Sequence, residues 1–229
     1  MLPFAWKTLL PLNLPEVPMV LPLVLLSAAL AADPNTPHPH QGVLSHYSGA
    51  PPVLTLTAEE QARLAEGKVV KRQVKNPDGK SGRGVAIQDI HADPDTVWAH
   101  ITDFNHYPQM VENVYACDIV STRGEHIFVH FIIGSMGVKA EYWIDHTYRP
   151  DQGWLTWTLD YSKTSDLDDS VGYWRVEALP DRPGWTRVAY SVQVQVSGWV
   201  PDFIVSMVSD SGLTKATAWV KRESEKGAP

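Results

Sequence analysis

Five side chains in the C-terminal half of this 229-residue sequence are suited to moving or holding protons: His130, Glu141, His146, Arg175 and Tyr190. Such groups do acid–base chemistry when they converge on one cavity face. Strand alternation separates them. His130 falls opposite an apolar strand face and is expected in solvent, and Glu141 shares a side with Lys139 and Asp145, the pattern of a wet face. His146 shares a side with Tyr142 and Ile144, which makes it more interesting. Arg175 lies on the Tyr173 side, where a surface ion pair is expected. Tyr190 has the best position, because its ring can line a concave face while its hydroxyl orients a ligand. Tyr190 and His146 are therefore the candidate catalytic residues.

Other chemistries find no support in the residue types. Cys117 is the only cysteine, so no intrachain disulfide forms, and its apolar strand context reads as a small buried hydrophobe. There is no nucleophile elbow, no His-Glu-x-x-His and no phosphate-binding glycine loop. The acidic run Asp166-Leu167-Asp168-Asp169 lacks the ligand spacing and glycine turn of a calcium loop, and reads as a charged hairpin end. His38, His40 and His46 sit in a proline-rich stretch and are expected to be solvated rather than metal-ligating. No metal and no cofactor is expected. The net charge of −7, with no basic stripe, argues against nucleic acid.

The positioning elements follow from the patterning. Residues 1–31 read as a cleavable export leader: Lys7 precedes the apolar run 17–30, and Ala29-Leu30-Ala31 offers a small-x-small cleavage site. That run is short for a bilayer span and carries Pro18 and Pro22, so no stable membrane span is expected after cleavage, although transient membrane contact is allowed. An uncleaved anchor is the alternative. Residues 32–56 read as a Pro-rich linker, 57–224 as one domain and 225–229 as a flexible C-terminus.

Within the domain, Thr57-Ala58-Glu59-Glu60 is a capping box opening a helix over 58–66. Strands at 68–75 and 84–91 flank the turn residues Asn76-Pro77-Asp78-Gly79. Asp93-Pro94 starts a second helix to 102, and a short helical stretch follows to 111. From Val114 the period becomes two, with strands at 114–121, 127–133, 138–148, 154–161, 171–179 and 186–196. Their short connections require an antiparallel meander. One face of that sheet is apolar and needs a cover, and a helix from 201 to about 222 is the candidate. Its apolar face is interrupted between Ser206 and Gly212, which reads either as close packing or as a gap for a ligand. The fold class is therefore α+β.

The stretch from Gly84 to Trp98, followed by Thr102-Asp-Phe-Asn-His-Tyr-Pro-Gln-Met-Val111, resembles the START-like superfamily, closest to its polyketide-cyclase and coenzyme-Q-binding branch. Gly172-Tyr-Trp174, Thr186-Arg-Val-Ala-Tyr190 and Val200-Pro201 fit later segments of that family. The resemblance implies a helix-grip fold, a curved antiparallel sheet wrapped around a long C-terminal helix with two short helices after the first main strand. It also implies a hydrophobic small-molecule partner, held as by a carrier. A cyclase or dehydratase is the alternative, and a ligand-free interaction domain the third reading. Candidate ligand-binding residues are Phe131, Tyr142, Trp157, Trp174, Tyr190, Met207 and Ser211. The oligomeric state is left open.

Overall fold

The computed structural model describes residues 31–75, 81–196, 203–204 and 209–227. Helix α1, Ala58–Ala65, starts at Thr57, whose hydroxyl accepts the Glu60 N–H while the Glu60 carboxylate accepts the Thr57 N–H, so two orphan donors are satisfied. Strands β1 (Val70–Lys75) and β2 (Ser81–Ile90) pair antiparallel, and the turn 76–80 between them lies outside the described residues. Helix α2, Pro94–Ile101, has Asp93 as its N-cap and proline in its first turn. A 3-10 turn, Phe104–His106, and α3, Tyr107–Met110, complete the short helical pair.

Six strands follow: β3 (Val114–Arg123), β4 (His126–Ser135), β5 (Val138–Arg149), β6 (Trp154–Leu159), β7 (Asp169–Ala178) and β8 (Thr186–Gln195). They form one eight-stranded antiparallel sheet in the order β1-β2-β8-β7-β6-β5-β4-β3. The meander is consecutive. Among the pairings of this sheet, β2–β8 joins distant parts of the chain, adding the N-terminal hairpin to the meander's end.

The last helix differs from its expected span. Helix α4 runs Asp210–Ser224, and Ser209 is its extended N-cap, with its hydroxyl accepting the Gly212 N–H. The expected helix from 201 is thus not continuous through Ser209. Polar Ser209-Asp210-Ser211-Gly212 is start chemistry, and what read as an interruption of an apolar face is a helix terminus. Helix α4 crosses the concave side of the sheet at close range. A Cβ on Gly84 of β2 would meet Leu213 Cδ2 at 2.5 Å, so glycine there lets helix and strand approach. The C-terminus also differs from expectation: Glu225–Gly227 form a 3-10 turn, and the Glu225 carboxylate accepts the His91 N–H at 2.8 Å.

Two apolar clusters lie on opposite sides of the sheet. The larger fills the concave side beneath α2, α3 and α4. The smaller joins Leu64, Val70, Val85, Ile87, Tyr173 and Ala189 on the convex side, with Tyr47, Leu54 and Leu56 packed on it. The convex face was expected to be wet. It is instead covered along part of its length by α1 and by residues 32–56, the stretch expected to be a linker. His38 there is 4% exposed, not solvated. A proline-rich strap can cover a sheet face where side chains of the sheet supply its missing hydrogen bonds. Asp169 Oδ2 accepts the Val43 and Leu44 N–H groups, Arg175 donates to Pro51 O, and Arg72 to Thr55 O.

Candidate functional site

Between the concave face and α4 lies a cavity of about 330 Å³. Its wall is made by register. Inward-facing residues on neighbouring strands are paired Phe131↔Tyr142, His146↔Trp157, Trp157↔Gly172 and Trp174↔Tyr190, so an aromatic band crosses β4 to β8. Phe131 and Tyr142 stack at 5.2 Å between ring centroids, and Tyr190 lies 4.6 Å from Trp174 and 5.7 Å from Trp157. Gly172 makes this possible. A Cβ at that position would meet the Trp157 ring at 2.1 Å and the Ser191 carbonyl at 2.3 Å. The glycine lets an indole lie across β7 and reach β8.

The floor comes from α4 and the short helices. Gly212, Lys215, Ala216 and Trp219 line the cavity at positions i, i+3, i+4 and i+7, one helical face. Tyr107 meets Trp219 edge to face at 5.0 Å, and Phe104 lies 4.7 Å from the His146 ring. At the rim, Lys215 and Glu112 form an exposed ion pair at 2.6 Å, joining α4 to the loop before β3.

Of the expected ligand residues, Phe131, Tyr142, Trp157, Trp174 and Tyr190 line the cavity, as does His146. Met207 lies outside the described residues. Ser211 does not belong to the lining: it is exposed, with its hydroxyl against that of Ser209, because the helix phase puts its neighbour Gly212 on the cavity face. Phe104, Tyr107 and Trp219 were not singled out as lining residues. Helical phase from Gly212 would have found Trp219, had the helix start been placed correctly.

Polar atoms in this wall are few and specific. His146 Nδ1–H donates to the Ile127 carbonyl at 3.2 Å, leaving Nε2 as an acceptor, and burial depresses the imidazolium pKa to about 3. Burial raises the Tyr142 and Tyr190 hydroxyls well above the usual phenol range. Neither hydroxyl, nor His146 Nε2, has a hydrogen-bond partner among the described residues. By contrast, the Tyr107 hydroxyl donates to Ile101 O at 2.6 Å, and Trp157 Nε1–H donates to Ser170 Oγ. At physiological pH the site thus presents two neutral phenols and one neutral imidazole in an aromatic enclosure. Cys117 is buried and its thiol is pushed up by desolvation, away from nucleophilic use.

The other candidate residues lie on the convex side. His130 is not fully solvated: it pairs with Glu141 at 2.7 Å and stacks on Trp143. Arg175 pairs with Glu177. His38, His40 and Asp168 offer ligand atoms within 4.8 Å of one another. Their hydrogen bonds describe a clasp. Nδ1 of His38 accepts the Ser165 N–H and Nδ1 of His40 accepts the Gly42 N–H, which puts each ring proton on Nε2. Both Nε2–H groups then donate to Asp168, to its carbonyl at 2.9 Å and its carboxylate at 3.3 Å. A metal at Nε2 would force a proton onto Nδ1, facing a backbone N–H.

Known structures share this architecture. A STAR-related lipid transfer protein from Xanthomonas axonopodis superposes with a TM-score of 0.54 at 13% identity, covering 69% of this chain and 94% of that one. The Zhui aromatase/cyclase from a Streptomyces species gives 0.53 at 13% identity over 69% and 95%. A START superfamily protein from Mycobacterium smegmatis gives 0.50 at 16% identity over 69% and 97%. At such identities these likenesses establish the helix-grip fold. Among the described residues no helix is long and apolar enough to cross a membrane. No curated protein matches the sequence. The model of the family described as polyketide cyclase/dehydrase and lipid transport matches residues 90–218. Because that match spans more than half of the sequence and runs from the end of β2 into α4, around the cavity, this chain belongs to that family.

Proposed function

We propose that the protein binds a hydrophobic small molecule between sheet and α4, as an exported carrier or binding protein. The observation that carries this reading is the aromatic cavity, in whose wall Tyr142 Oη, Tyr190 Oη and His146 Nε2, like the indole N–H groups of Trp174 and Trp219, have no hydrogen-bond partner among the described residues. These atoms open onto the cavity rather than being sealed away from it, so a ligand or water inside it can take up their hydrogen bonds. Two phenol donors and one imidazole acceptor suit an apolar body bearing oxygen functions: a carbonyl for the phenols and a hydroxyl for the imidazole. An isoprenoid quinone, a sterol-like alcohol or a polyketide fits that description, and a plain hydrocarbon does not. Export rests on the leader pattern of residues 1–31.

Binding is favoured over chemistry by the protonation states. A general base works best with a pKa near the operating pH, and His146 lies far below it while Tyr190 lies far above. The second reading, a cyclase or dehydratase, draws on the presence of His146 and Tyr190 in the same cavity, where a bound substrate could change both values. Native mass spectrometry and solvent extraction of protein purified from its own compartment test the proposal. A co-purifying oxygenated apolar molecule released unchanged is expected. Protein that is empty and binds neither a quinone nor a sterol probe would sink it, and turnover lost in Tyr190→Phe would replace it with the enzyme.

A further inference from the structure

The first contact that the described chain makes with the domain body is the Ala32 N–H, which donates to Asp166 Oδ1 at 3.0 Å. Asp33 next to it forms a β-bridge with Thr164, its N–H to Thr164 O at 2.8 Å and its carbonyl accepting the Thr164 N–H at 3.0 Å. Ala32 is also the residue that follows Ala29-Leu30-Ala31, the small-x-small cleavage pattern. Sequence and structure thus meet at one peptide bond.

We propose that Asp166 is the receptor for a new N-terminus made by hydrolysis of the Ala31–Ala32 bond. A leader-type endopeptidase adds water across that bond. The carboxylate stays on Ala31 and the amine on Ala32 takes a proton, becoming an ammonium group. A neutral amide donor is converted into a charged one against a carboxylate, and charge-assisted bonds of this kind are about twice as strong. Asp166 is already oriented for the task. Its Oδ2 accepts the Glu141 N–H at 2.8 Å and its own N–H donates to Glu141 O at 2.9 Å, which leaves Oδ1 for residue 32.

The neighbouring ionisable groups are engaged elsewhere. On the strap, Asp33 accepts from Asn35 N and Thr36 Oγ1, and His38 and His40 donate to Asp168. On the loop carrying Asp166, Asp160 pairs with Lys163 and Asp169 accepts from Tyr161. On β5 beneath, Glu141 pairs with His130. Asp166 is therefore the carboxylate that meets the new ammonium. Processing fastens the strap at its first residue, next to the histidine clasp.

The inference rests on the export reading, and its test separates the two. Intact mass and N-terminal sequencing of protein from its own compartment should give Ala32 as the first residue. A chain found uncleaved overturns export together with this inference, whereas cleavage at another residue overturns the inference alone. For the capture itself, a chain beginning at Ala32 is compared with Asp166→Asn. The ammonium held by Asp166 should react with an acylating reagent at pH 8 about fivefold more slowly, as for an α-amine raised by one pKa unit. Should Asp166→Asn fold poorly, a chain lengthened by one glycine before Ala32 supplies the comparison, since its amine is displaced from the carboxylate. Equal reactivity in the Ala32 chain and either comparison chain overturns the capture.

Discussion

On the concave face of the sheet, Tyr142 Oη, Tyr190 Oη and His146 Nε2 meet no hydrogen-bond partner among the described residues. On the convex face, Asp169 is fully buried, yet its carboxylate accepts from Val43, Leu44 and Tyr161. The two faces belong to the same strands and carry similar residue types. They differ in what covers them. A strap of irregular backbone brings many N–H and C=O groups that must be satisfied, and it takes up Asp169, Arg175 and Arg72 beneath it. A helix satisfies most of its own backbone; α4 takes up Lys71 of β1 at its first turn, but no residue of α4 bonds Tyr142, Tyr190 or His146, which remain available to something else. The convex side reads as architecture and the concave side as a receptacle.

The largest expected effect breaks the receptacle itself. Gly172→Val places side-chain atoms where the Trp157 ring and the Ser191 carbonyl lie, and should lower unfolding stability by about 3 kcal/mol, measured by urea denaturation. An unchanged midpoint would mean that the aromatic band can slide aside. Next comes the strap. Asp169→Ala strands buried donors and should lower stability by about 2 kcal/mol, with faster protease cutting between residues 43 and 57. Ligand occupancy should persist. Loss of ligand in that variant would show that the two faces are coupled rather than separate.

A pH titration compares one histidine from each side. Burial holds the folded pKa of His146 at about 3, below its unfolded value near 6.5, so the unfolded chain binds the extra proton first. Stability is therefore complete above pH 6.5 and falls as pH drops toward 3, by about 1.4 kcal/mol per pH unit. His146→Gln should flatten that acid limb in chemical denaturation between pH 6 and pH 4. Burial also lowers the pKa of His38, so the strap should loosen in the same direction, read as protease sensitivity at pH 5 against pH 8. The smallest effect is the most specific. Tyr190→Phe should leave the fold intact and weaken an oxygenated ligand about fivefold, the worth of one net hydrogen bond, in a fluorescence titration. An unchanged affinity would remove Tyr190 from the binding account.

Much of this architecture is legible in the residues. The capping box at Thr57, the Asp93-Pro94 start and the alternation from Val114 place α1, α2 and six strands within a few residues, because these signals act locally. The cavity wall is partly legible too, since alternation assigns Phe131, Tyr142, His146, Trp157 and Tyr190 to one face. Ser211 fails because a helix face depends on where the helix begins, and a one-residue error rotates the lining by about 100°. His38 and His40 fail for another reason. Nothing near them in sequence announces that Asp168, far along the chain, will accept both.

The sequence by itself therefore determined the class of this protein: an α+β meander with a greasy inner face and a C-terminal helix. Periodicity and capping are short-range, and they are written where they act. Only the tertiary structure decided what each face is for. It laid the proline-rich stretch onto the convex side, set the phase of α4, and let Gly172 admit an indole across two strands. It also left Tyr142 Oη, Tyr190 Oη and His146 Nε2 without a hydrogen bond among the described residues, because the face α4 turns to them is Gly212, Ala216 and Trp219, with no acceptor or donor placed to meet them.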